Sequence, residues 1–219
     1  MQNNKNALYI PLVTLLITFG YAVIRYNVFK NVPLGDIPLF IFNKSISFTA
    51  VILIGSSFFL GPLAHFWPSQ FVRQLYLRKH FGLIGFSMAA LHGLISLLLF
   101  SPTYYPNFFE AGGKLNLIGE FSMLFGAVAI LIFSAVAITS IPSVEKSMAP
   151  VQWLFAQRLG YIAFILVLLH VSVMGWSGWF RFASWPANLP PITLLSALVI
   201  ILVLIMRVIL IGLSREKGS

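Results

Sequence analysis

Residues 80–101 read HFGLIGFSMAALHGLISLLLFS, and residues 154–176 read LFAQRLGYIAFILVLLHVSVMGW. Each stretch is long enough to cross the hydrocarbon of a bilayer, which takes about 20 apolar residues. Each also buries one histidine, His92 or His170, far from its ends. An ionisable side chain in hydrocarbon is costly unless something holds it, so both are functional-site candidates. Further apolar runs at approximately 7–27, 45–66, 117–140 and 190–213 bring the spans to six. Pro68 with Arg73 to Lys79, Pro102 and Pro106 with Gly112-Gly113, Pro142 with Pro150, and Trp185-Pro186 with Pro190-Pro191 separate them. The expected fold is all-α: a polytopic bundle of six transmembrane helices, one integral membrane domain over 1–219.

Composition agrees. The chain is 59% hydrophobic and 9% charged, with a mean hydropathy of +0.93, against roughly 25% charged residues in soluble domains. Its formal charge of +9 does not indicate nucleic acid, because Lys and Arg cluster at span ends, where they anchor to headgroups. Zero cysteines exclude disulfides, thiolate-bound zinc and iron–sulfur clusters. The N-terminal run lacks a small-x-small cleavage site and is expected to be a retained first span.

Basic residues set the orientation. The N-terminus, the loops between spans two and three and four and five, and the C-terminal tail collect Lys5, Arg73, Arg78, Lys79, Lys146, Arg158, Arg207, Arg215 and Lys217. The opposite side has Arg25, Lys30, Lys44, Lys114 and Arg181. Nine against five predicts cytoplasmic N- and C-termini, with Trp176, Trp179 and Trp185 as an aromatic belt at the outer surface. The protein is thus expected to be a multi-pass membrane protein.

In this topology spans three and five run in the same direction. His92 lies twelve residues past the start of its span and His170 thirteen past Gln157, so both climb about 18–20 Å at 1.5 Å per residue. Gly82, Gly85 and Ala89 precede His92 by ten, seven and three residues, as Gly160, Ala163 and Val167 precede His170. Each set forms one helical stripe. Such stripes admit a flat macrocycle, or simply let helices pack closely. Two imidazoles at one depth can grip a haem iron from both sides, and a six-coordinate iron passes single electrons rather than activating oxygen.

Other polar positions carry weaker signals. His80 and Gln157 share a level near the inner surface, where His80 is a candidate ligand of a second haem, although it is turned by about 120° from His92 on an ideal helix. His65 reads as interfacial, close to a quinone or a propionate. Arg78, Lys79 and Arg158 are candidates to pair with haem propionates, but positive-inside anchoring explains them without any cofactor. Met88 and Met174 are expected to pack around the site, and Glu120 to face a polar pocket or headgroups.

The stretch Leu77-Arg78-Lys79-His80-Phe81-Gly82-Leu83, continuing through Phe86 to Ala90-Leu91-His92, resembles the Arg-Arg-x-Leu-Gly-Leu…Leu-His signature of the ferric-reductase-like transmembrane domain family. Pro62-Leu63-Ala64, Thr139-Ser140, Trp153 to Tyr161 and His170 extend the resemblance over about 45–176. Within the family it is most similar to the MsrQ branch, the haem-binding subunits of the periplasmic methionine sulfoxide reductase system. The resemblance implies a b-type haem held by His92 and His170, and electrons drawn from a quinol or a cytoplasmic flavin reductase, with quinone or FMN as possible further cofactors. It also implies delivery to a periplasmic reductase, a molybdenum-cofactor enzyme in that branch. The sequence departs from the family at Gln157, where relatives have a histidine, at His80, which replaces an apolar residue, and at His65, which replaces an arginine. The residues outside the spans are too few to fold a flavin or nicotinamide domain. Two other classes are a transporter, which wants broken helices or intramembrane carboxylates, and a haem-free scaffold. An intramembrane hydrolase is excluded by the lack of its motifs.

Overall fold

The computed structural model describes residues 5–216. Of the basic residues counted above, Lys217 lies outside them, as do the side chains of Lys5 and Arg215. Long apolar runs leave the backbone only one way to satisfy its polar groups inside hydrocarbon, which is to bond within each segment as a helix. Six long helices result: α1 (Lys5–Ala22), α2 (Phe42–Phe66), α3 (Leu77–Leu98), α4 (Leu117–Ile138), α5 (Pro150–Trp179) and α6 (Ile192–Glu216). All six carry segments long and apolar enough to span. Pro150 opens α5 at its first turn, where a missing N–H costs nothing. The Asn116 side chain caps α4 by accepting from Gly119 N at 3.0 Å.

The second span differs from expectation. It begins at Leu34 rather than at 45, because a tight 3-10 turn and a wide π-type turn continue it N-terminally over residues 34–41. Asn43 and Lys44 look like a break in sequence but are carried inside the helix. The Lys44 ammonium lies over the rings of Phe40 at 4.2 Å and Tyr26 at 5.0 Å, a placement that keeps a cation tolerable among apolar neighbours.

α2 is the central helix. It packs against α1, α3 and α6, while α5 pairs with α4 and also meets α6. Glycines set the approach. A Cβ on Gly85 would stand 2.8 Å from Ile54 Cγ1 and 3.1 Å from the Ile54 backbone nitrogen, and one on Gly160 would stand 2.7 Å from Phe58. Small residues thus let α3 press onto α2 and let the Phe58 ring of α2 reach α5. Thr18 joins α1 to α2 through Ser45 at 3.1 Å and Thr49 at 2.6 Å, all three fully buried. Gly85→Val is expected to overpack the α2–α3 contact and cost about 1–3 kcal/mol. A fall in thermal midpoint should show it, against no fall for Gly20→Ala, whose added carbon meets nothing within 4 Å.

The small-residue stripes therefore serve helix packing. Gly82 faces Ser57, Gly85 faces Ile54 and Gly160 faces Phe58, all on α2. Ala89 and Val167 border one shared core cluster built around Val51, Ile54, Phe133 and Phe164. The aromatic belt is also partly redirected. Trp176 is exposed, but Trp179 is buried and donates its indole N–H to Thr193 Oγ1 at 3.0 Å.

Candidate functional site

α2 acts as a ruler for the histidines. Its Ser57–Phe58 level meets Gly82 of α3 and Gly160 of α5, and its Ile54–Gly55 level meets Gly85 and Phe164. Both helices advance as α2 recedes, so α3 and α5 are parallel and in register. His92 lies ten residues beyond Gly82 and His170 ten beyond Gly160, about 15 Å along each axis. The two imidazoles therefore stand at one level, as the sequence predicts. α3 packs mainly on α2 and α5 mainly on α4, rather than on one another. Both histidines are half-buried.

The same ring nitrogen is engaged in each case. His170 Nδ1 lies 2.8 Å from the backbone oxygen of Ser122 and 3.2 Å from its hydroxyl. A carbonyl oxygen only accepts, so Nδ1 carries the proton and Nε2 keeps its lone pair. His92 Nδ1 lies 2.9 Å from Asn43 Oδ1. The Asn43 amide nitrogen donates to Ser96 Oγ at 2.9 Å, which turns its oxygen toward the histidine and fixes the same tautomer. A donor bond from one nitrogen to a buried oxygen is how a metal-ligating histidine is oriented. Asn43 and Ser122 are each 1% exposed, so this support is rigid.

Gly126 gives His170 its room. A Cβ there would come within 3.1 Å of His170 Nδ1, so the imidazole lies close against the α4 backbone. No group of three or more His, Cys, Asp or Glu side chains converges among the described residues. Two lone imidazoles cannot complete a metal's coordination, whereas a porphyrin supplies the remaining four donors. Two neutral imidazoles with free Nε2 atoms at one height fit an axial pair for haem.

The other candidates are not gathered at this level. His80 is exposed, and its Nδ1 lies 3.1 Å from Tyr76 O on its own helix. The Gln157 amide donates to Val136 O, Thr139 Oγ1 and Ser140 Oγ at 3.2–3.4 Å, tying α5 to the end of α4. Arg78 Nε donates to Ser57 O at 3.2 Å, and Arg158 is exposed. These arginines sit about 21 and 18 Å below His92 and His170 along the helices, so a propionate contact from them belongs to the His80 level. Lys79 forms a surface ion pair with Glu145 at 2.9 Å, worth about 0–1 kcal/mol. His65 and Glu120 are exposed. Met88 packs against the Leu53–Phe81 cluster on the α2 side of α3.

Asn43 and Ser122 are the two residues that sequence reasoning missed. They bond histidines 49 and 48 positions away, and no local pattern signals such a partner. The only available hint is a polar side chain in the first turn or two of an otherwise apolar helix.

A profile of the ferric reductase like transmembrane component family matches residues 46–168. Mouse metalloreductase STEAP2 is 27% identical over 208 residues, a match covering 78% of this chain and 42% of the relative. Human metalloreductase STEAP2 is 27% identical over 200 residues, covering 80% and 41%. Rat metalloreductase STEAP3 is 28% identical over 194 residues, covering 75% and 40%. The chain spans about two fifths of the length of the curated relatives it matches.

Proposed function

Because the chain belongs to the ferric reductase like transmembrane component family, we propose that it is a b-type haem protein carrying electrons across a membrane. The observation that bears most on this is the matched pair of histidines, level with each other and each holding Nε2 free. His92 and His170 would be the axial ligands. Held between them, haem b would supply a one-electron redox couple. The protein's own part is to fix both rings, through Asn43 and Ser122, and to surround them with the apolar core shared by α2, α4, α5 and α6. A low-dielectric shell of that kind tunes potential and keeps water out.

In this reading electrons enter at the N-terminal ends of α3 and α5, the cytoplasmic side, and leave at the end where Trp176 and Trp185 lie. A quinol or a cytoplasmic flavin reductase, with quinone or FMN as carrier, is the proposed donor. The resemblance to the MsrQ branch points to a periplasmic reductase as acceptor in a bacterial inner membrane. A second reading takes a metal ion as acceptor, which the metalloreductase names of the relatives favour. Purified protein reduced with dithionite should give a b-type spectrum at one haem per chain. Reoxidation by a ferric chelate alone would favour the metal acceptor, and reoxidation only with an added periplasmic reductase the MsrQ branch. A colourless protein that takes up no haem sinks both.

His80→Ala is expected to leave haem content unchanged, because its ring is exposed and bonded back to its own helix. Loss of half the haem in this variant would instead place a second group at the inner level.

A further inference from the structure

At the bundle end that bears the loop between α1 and α2, two helical stripes climb to cations. On α1, Thr14, Thr18 and Tyr21 lead to Arg25, and on α2, Ile52 and Phe48 lead to Lys44. Spacings of three and four keep each set on one face. With Leu195 of α6, the uncharged members line a groove of ≈ 300 Å³ between α1, α2 and α6. From Thr14 to Arg25 the stripe rises about 16 Å, roughly half the ~30 Å hydrocarbon thickness and so the depth of one leaflet.

Three cations crowd the mouth of this groove. Arg25, Lys30 and Lys44 all lie about the Tyr26 ring, at 4.9, 5.7 and 5.0 Å from its centroid. Arg25 is 4% exposed and anchored through Nε to Pro190 O at 2.9 Å, the carbonyl that also accepts from the Tyr21 hydroxyl at 2.6 Å. The turn that carries Arg25 and Tyr26 is a wide π-type turn, a distortion common at functional sites. Among the described residues the one salt bridge is Lys79–Glu145, at the other end of the bundle. Among the described residues no carboxylate forms an ion pair with this cluster. Burial, with the neighbouring Arg25 charge, holds the Lys30 ammonium below its ordinary pKa. The ring face compensates each cation in part, but mutual repulsion remains until an anion arrives.

We propose that this groove seats one acyl chain of an anionic phospholipid, with the phosphate held by Lys30 and Lys44 beside Arg25. An apolar trough one leaflet deep that ends in three unpaired cations is complementary to such a lipid. A free phosphate would leave the trough unused. A zwitterionic lipid brings its own cation to the cluster, and a neutral isoprenoid leaves the charges unmet.

Native mass spectrometry of the full chain, released from nanodiscs of equal phosphatidylglycerol and phosphatidylcholine, tests this. The wild type should retain one phosphatidylglycerol in clear preference. Lys30→Gln with Lys44→Gln should cut that preference about tenfold. Thr14→Trp, which fills the groove and leaves every charge in place, should lower retention of both lipids. Equal retention of the two lipids by the wild type overturns the proposal, as does retention of a neutral isoprenoid instead. So does an unchanged preference in the double variant, or unchanged retention in Thr14→Trp. If inorganic phosphate displaces the lipid from the wild type, the site recognises the phosphate alone and the acyl groove has no part in it.

Discussion

His92→Ala and His170→Ala should each purify without b-type absorbance, while His65→Ala keeps it in full. Among the described residues no third His, Cys or carboxylate approaches to take over. The expected loss is nearly complete because the haem would have no other side chain of these kinds to hold it. In the haem reading, removing one ring would leave the macrocycle held on one face only. Haem per chain, measured after extraction, should fall below about a tenth of the wild-type value, since loss of a first ligand must exceed the 10–100-fold effect typical of losing its outer partner. Circular dichroism should stay helical in both variants, because α3 packs mainly on α2 and α5 on α4 and α6, contacts that do not involve a haem. Full haem content in either variant would remove that residue from the site, and full content in both would end the haem reading.

The equal height of the histidines was legible because a helix converts residue count into length without error. Once α3 and α5 are known to be parallel, ten residues beyond Gly82 and ten beyond Gly160 have to coincide. The spans were legible for a similar reason, since bilayer thickness fixes their length. What the sequence hid is tertiary. The stripes of Gly82, Gly85 and Gly160 fit a macrocycle or a helix neighbour equally well on paper, and only the position of α2 decides for the neighbour. Lys44 looks like a span boundary until Tyr26 and Phe40 are seen beneath it. Trp179 reads as interfacial from its place near a helix end, but Thr193 on α6 draws it inward. Hydrogen-bond partners some fifty positions apart leave no trace in either helix alone, which is why Asn43 and Ser122 went unseen.

Those two residues predict an asymmetry between the ligands. Asn43→Leu keeps the branched heavy-atom outline of the side chain but removes the oxygen that accepts from His92 Nδ1 at 2.9 Å. The fallback is Ser96 Oγ, at 3.4 Å from the same nitrogen, a weaker bond by length. A ligating histidine that loses its outer partner is freer to rotate and is a poorer donor, and such losses cost about 10–100-fold in affinity. Haem titration of Asn43→Leu should therefore show weakening of that size. Its midpoint potential should rise, because a less basic imidazole stabilises the oxidised iron less. Asn43→Asp should move the potential the other way, since a carboxylate accepts from Nδ1 more strongly than an amide. Ser122→Ala should do little by comparison, because the 2.8 Å partner of His170 is the backbone oxygen, which every residue at that position provides. Equal potentials for Asn43→Leu and Asn43→Asp would show that the Asn43 bond does not reach the iron. A drop for Ser122→Ala as large as that for Asn43→Leu would show that the hydroxyl, at 3.2 Å, orients His170 instead of the carbonyl.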